Sequence, residues 1–127
     1  MKLRHLALAT LLSEAVAAPT LAESWTCVFD QDCEMGQQCI ALSPPRNAWL
    51  SADAGGGYSL ELDGQVAAIA ETGRFENALS FAGTPSPNNV ILLTVHLEGE
   101  AALTVHYTSP TAFFANTMRG TCTKEPG

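Results

Sequence analysis

Apolar and polar residues alternate with a period of two along much of this chain, the periodicity of a strand with one face on a core. In SWTCVF the alternation places Trp25, Cys27 and Phe29 on one face of a first strand. DQDCEMG then reads as a turn, QQCIAL as a short return strand, and SPPRN as a loop, since paired prolines remove backbone donors and fix φ. NAWLSAD falls between strand and irregular edge, with Trp49 expected on the core. After the GGG breaker, YSLEL and QVAAIAET flank Asp63-Gly64, a pair suited to the type I′ turn of a β-hairpin. The alanines of QVAAIA also admit a helix, which would leave Asp63-Gly64 as its cap.

RFENALSFAG continues as a strand or a broken pair, and TPSPNN reads as a surface loop. NVILLTVHL and AALTVHYT form a second hairpin around Glu98-Gly99, and their nearly continuous apolar character predicts strands covered on both faces. AFFANTMRGTC supplies a last strand ending at Cys122, followed by a frayed TKEPG tail. About eight short strands at this spacing predict an all-β domain, a small antiparallel barrel or sandwich stapled by disulfides, over residues 23–127.

Residues 1–22 carry a different pattern. MKLRH is a positive n-region, LALATLL a short apolar core, and SEAVAAPTLA a small-residue stretch with Thr20 and Ala22 placed for cleavage before Glu23. The expectation is a secretory signal and a periplasmic or secreted protein. Glu14 interrupts the apolar run well before the roughly 18 to 20 residues a membrane span needs, and Cys27 follows Trp25 and Thr26, not the small residue of a lipid-anchor site.

The whole chain of 127 residues has a formal charge of −7; without Lys2, Arg4 and Glu14 it retains four cations and twelve acids, a net charge of −8. With only Arg46, Arg74, Arg119 and Lys124 remaining, scattered along the chain, nucleic acid is excluded as a partner. A cationic protein or a small apolar ligand fits the charge better, and the acidity by itself keeps an exported protein soluble.

The four cysteines, Cys27, Cys33, Cys39 and Cys122, are even in number and imply two disulfides in an oxidising compartment. All three connectivities join Cys122 to the N-terminal cluster. Cys27–Cys122 with Cys33–Cys39 is favoured because the first and last strands of a closed sheet are neighbours; Cys27–Cys39 with Cys33–Cys122, and Cys27–Cys33 with Cys39–Cys122, remain open.

The pattern W-x-C-x5-C-x-x-G-x-x-C over Trp25–Cys39, the hairpin LTVHLEGEAALTVHY and the closing GTC resemble small secreted alphaproteobacterial proteins. The resemblance covers most of the chain after residue 22. It implies a β-rich exported protein and carries over no activity and no catalytic residue. CVFDQDCEMGQQC is also similar to the cysteine-rich repeats of secreted animal proteins such as the Dickkopf family, but over thirteen residues only and without the further cysteines of those modules, which marks convergent spacing.

The chemistry-bearing residue types form no recognised catalytic or metal motif. No C-x2-C pair suggests zinc or redox work. Asp30, Asp32 and Glu34 open like a calcium loop, but Met35 stands where glycine is required and Ala41 where a bidentate glutamate belongs. A two-residue turn at Glu98-Gly99 would put His96 opposite Ala101 and the two histidines on opposite faces; a three-residue turn would restore one face but not bring them within reach of one metal. No G-x-S-x-G elbow accompanies Ser59 or Ser80, Glu98 and Glu100 sit at a hairpin tip, and no lysine follows the GGG. The expectation is a non-enzymatic binding domain without metal or cofactor. The alternatives are an inhibitor of a cationic cell-wall enzyme, of which Gly55-Gly56-Gly57-Tyr58 is a faint echo, and a structural envelope component. An enzyme would instead need a pocket bringing His96 or His106 to a carboxylate.

Overall fold

A computed structural model describes residues 23–34 and 37–126. The proposed leader, residues 1–22, lies outside them. Eight strands follow in chain order: β1 (Ser24–Glu34), β2 (Ile40–Ala52), β3 (Tyr58–Leu62), β4 (Gln65–Arg74), β5 (Ala78–Ser86), β6 (Asn89–His96), β7 (Glu100–Ser109) and β8 (Ala112–Lys124). Each pairs antiparallel with the next, and β1 pairs with β8, so the sheet closes into a barrel with no free edge. QVAAIA is strand, not helix, and Asp63 and Gly64 take φ of 51° and 78°, the left-handed pair of a type I′ turn.

The period-two pattern builds the core. Trp25, Cys27 and Phe29 of β1 face inward with Leu50, Leu60, Phe81, Leu93 and Leu103 from the other strands, all buried. Fully burying a side chain of this size contributes roughly 1.5–3 kcal/mol. Two disulfides are present. Cys27–Cys122 joins directly opposed residues of β1 and β8 inside the barrel, and Cys33–Cys39 ties the end of β1 to the segment entering β2.

Five sequence expectations need correction. TPSPNN, expected as a surface loop, is strand at Thr84–Ser86 and Asn89, leaving Pro87-Asn88 as the turn. The stretches read as turn and loop, DQDCE and SPPRN, are strand: β1 runs on to Glu34, and β2 runs through Ser43-Pro44-Pro45. The prolines are tolerated because this part of β2 lies opposite the β1 bulge at Asp30 and before the β3 ladder begins at Ala48, so no partner needs their missing N–H groups. Trp49 points outward and is 53% exposed, since Ala48 and Leu50 on either side take the inward positions. The β6–β7 hairpin is covered on one face only, with Val90 and Leu92 on the exposed outer wall. The tail is pinned at its start, where Glu125 N–H donates to Ser24 C=O at 2.9 Å.

Candidate functional site

The turns of a meander barrel alternate between its two ends. One end collects the chain termini with the β2–β3, β4–β5 and β6–β7 turns, and the sequence seals it. Inward Trp25, Tyr58 and Phe81 stack there, with Tyr58 and Phe81 edge to face at 4.8 Å between ring centres and Trp25 and Phe81 at 6.1 Å. Charges surround this plug: Asp53, Glu76 and Glu98 stand in the turns and Glu23, Glu71, Glu100 and Glu125 beside them, against Arg74 and Lys124. Arg74 Nε donates to Glu71 at 2.7 Å, while Glu23 accepts from Arg74 Nη2 and Tyr58 Oη, each at 3.3 Å, and pairs with Lys124 Nζ at 3.5 Å.

This network gives the fold its dependence on pH. Partial burial pushes the Glu23 carboxyl up, but the Arg74 hydrogen bond and the Lys124 and Arg74 charges outweigh it and hold the group below its ordinary 4.5. Burial, then the neighbouring Glu23 and Glu71 carboxylates, push the Tyr58 phenol above its ordinary 10.0. The Glu23 contribution to stability is therefore complete above pH 4.5 and is lost as pH falls through the lowered native value. That of Tyr58 is complete below pH 10.0 and is lost as pH rises through the raised one. Melting temperatures followed across pH should be level between these limits and fall on both flanks; Glu23→Gln should shallow the acid flank and Tyr58→Phe the alkaline flank.

The opposite end is open. Here the inward position of β4 is small, Ala67, where further along the same strand it is Ile69. The space left is a cavity of about 420 Å³, walled by Leu60, Leu62, Ile91, Leu103 and Val105. Its mouth carries one ion pair, in which Arg46 reaches inward from β2 and donates through Nε to Asp63 Oδ2 at 2.7 Å, with Nη2 on the same oxygen. Both groups are partly exposed, so the pair closes the rim loosely and adds little to stability. On the β1–β8 side of the mouth half, Asp32 Oδ1 and Asn116 Oδ1 are buried acceptors without a donor. Gln65 and Asn89 join Arg46 and Asp63 in the lining, so apolar and polar groups share the cavity, and an eight-stranded barrel has room for one small molecule.

The residues singled out in the sequence are dispersed. Asp30 sits exposed at the bulge, Asp32 turns toward the interior and Glu34 ends the strand, so the three acids do not converge; among the described residues no group of three or more ligand-type side chains could hold a metal. The β6–β7 turn has three residues, Leu97, Glu98 and Gly99, and pairs Val95 with Ala101. Both histidines consequently lie on the outer wall, six positions apart along the ladder, about 20 Å at 3.3 Å per residue. His106 packs edge-on against Phe113, and His96 Nδ1 accepts from the Glu98 N–H at 3.2 Å in a shallow groove shared with Glu100 and Arg119. The Arg46–Asp63 pair is not visible in the sequence, where SPPRN reads as a loop. The signal that could have found the cavity is the small inward residue Ala67 in QVAAIA.

Among the described residues no helix is long and apolar enough to cross a membrane. Compared with protein-family models, curated proteins and solved structures, the chain matches none.

Proposed function

We propose that this protein is an exported, non-enzymatic binding barrel that takes one small molecule into its open end. The observation that carries the reading is the asymmetry of the interior: aromatic rings fill one half and a cavity of about 420 Å³ occupies the other. The lining suits a molecule with an apolar body and more than one polar group, the latter placed at Arg46, Asp63, Gln65 and Asn89. The two disulfides suit the oxidising compartment that the leader-like N-terminus implies.

The reading is tested with 1-anilinonaphthalene-8-sulfonate as the probe. Saturable fluorescence enhancement at one probe per protein is expected. Ala67→Trp, which fills the cavity from β4, should weaken it by about tenfold or more while circular dichroism stays that of the barrel, and Leu62→Trp serves as a second filler. Enhancement that neither saturates nor responds to either folded variant would overturn the proposal.

A second reading, inhibition of a cationic cell-wall enzyme, draws on the acidic sealed end, where seven carboxylates face two cations. Lysozyme activity unaffected by an equimolar amount of the protein removes it.

A further inference from the structure

At the open end, negative charge stands inside the barrel without a partner. Of the four cations after residue 22, Arg74 and Lys124 belong to the network at the sealed end, and Arg119 lines outer-wall grooves together with Glu100. That leaves Arg46 for the mouth. Against it stand Asp32 and Glu34 at the end of β1 and Glu61 and Asp63 at the β3–β4 turn. The Arg46 guanidinium is already engaged: Nε donates to Asp63 Oδ2 at 2.7 Å, Nη2 shares that oxygen, and Nη1 points at Met118 Sδ, 3.6 Å away. Met118 is buried and is the cross-strand partner of Asp32. Asn116, two residues back on the same face of β8, is opposed by Val105 of the cavity wall. Asp32 and Asn116 thus stand on the inner face beside the cavity. Asp32 forms no ion pair among the described residues, and Oδ1 of Asp32 and Oδ1 of Asn116 are buried acceptors that receive no hydrogen bond. Asp32 as a whole remains partly exposed.

We propose, on the reading of this cavity as a binding site, that its ligand carries a cationic amine and that Asp32 selects it over an anion with the same apolar body. An anionic group could gain Arg46 only by displacing Asp63, which exchanges one ion pair for another and leaves a carboxylate unpaired. An ammonium group breaks nothing. It meets carboxylates that have no partner, in a cleft whose low-dielectric walls strengthen the attraction relative to open water. Its N–H groups are donors only, and the unsatisfied atoms of this wall are acceptors. Gln65 and Asn89 offer both donors and acceptors, so they bind polar groups of either kind and do not discriminate.

Occupancy of the cavity is read with N-phenyl-1-naphthylamine, the uncharged counterpart of 1-anilinonaphthalene-8-sulfonate, which should bind more tightly than that anion. Decylamine and decanoate, equal in chain length and opposite in charge at neutral pH, then compete for the site. Decylamine is expected to displace the probe at a concentration lower by about tenfold or more. Asp32→Asn keeps the shape and removes the charge; it should bring the two competitors within about threefold while affinity for the uncharged probe is unchanged. Asp63→Asn releases Arg46 and should strengthen decanoate by about tenfold. Circular dichroism checks that both variants keep the barrel. Decanoate competing as well as decylamine, or an undiminished preference in Asp32→Asn, overturns the proposal, and probe binding that is saturable in the parent and weakened in Ala67→Trp then leaves the binding barrel itself standing. Absence of saturable binding by the uncharged probe removes both.

Discussion

Replacing Gly120 by alanine should unfold much of the protein's margin of stability with a single methyl group. Gly120 lies on β8 opposite Phe29, next to the bulge of β1. A Cβ at this position would run into the carbonyl oxygen of Val28 and lie 2.7 Å from Phe29 Cα. These are backbone atoms that no rotamer change can move aside, and they belong to the ladder that closes the barrel. The choice is between separating β1 from β8 and straining both. A cost of about 3 kcal/mol or more is expected, against a net stability of roughly 5–15 kcal/mol for a domain of this kind. Gly56 is the comparison: it has φ of 85° and nothing within 4 Å of a Cβ, so Gly56→Ala should cost only about 1 kcal/mol of backbone strain. Urea denaturation of the two variants distinguishes them, and equal midpoints would contradict the close approach at Gly120.

Removing the Cys27–Cys122 disulfide should have the other large effect. It closes a loop with a sequence separation of 95, for which loss of chain entropy in the unfolded state corresponds to about 4–5 kcal/mol. The Cys33–Cys39 bridge closes a separation of 6, for which the same relation gives about 2 kcal/mol. Cys27→Ala with Cys122→Ala should therefore lower the denaturation midpoint about twice as far as Cys33→Ala with Cys39→Ala. The buried position of Cys27 widens the difference, because truncating it also leaves unfilled volume in the core. Denaturation of both double variants, with the oxidised and fully reduced parent as references, checks the ordering; a larger loss for the short loop would reverse the argument.

How much of this was legible in the sequence follows from which signals were local. Tyr58–Leu62 and Gln65–Arg74 can be read because alternation and the Asp63-Gly64 turn act within one hairpin, whereas strand count and spacing leave barrel and sandwich open and only the β1–β8 pairing decides for the barrel. The path of β2 could not be read. Whether Pro44 and Pro45 break a strand depends on whether a neighbour needs their N–H groups, and that is decided by the bulge at Asp30 and the late start of the β3 ladder. The same holds for the inner and outer walls of β6 and β7. A run such as Val90–Val95 looks like a strand covered on both sides, and only the assembled barrel shows that Leu92 faces out while Ile91 and Leu93 face in. The cavity is least legible, since it depends on how the closed barrel sets Ala67 against the inward residues of β3, β6 and β7. The acidity of the sealed end is likewise a property of turn order: Glu23, Asp53, Glu76, Glu98 and Glu125, far apart in the sequence, gather because alternate turns share an end.

The neighbour-to-neighbour order of the strands also sets the sequence of events in folding. Seven of the eight strand pairings join segments adjacent in the chain and can form with little loop entropy, whereas β1 with β8 must wait for everything between them. Until that last pairing the molecule is a curled ribbon with two bare edges, able to add to the edge of another ribbon as readily as to its own. Cys27 and Cys122 are opposed only in the β1–β8 ladder, so oxidation of that pair records closure and then locks it. The time between synthesis and oxidation is the interval in which this chain is open to aggregation, and it ends when the first and last strands meet.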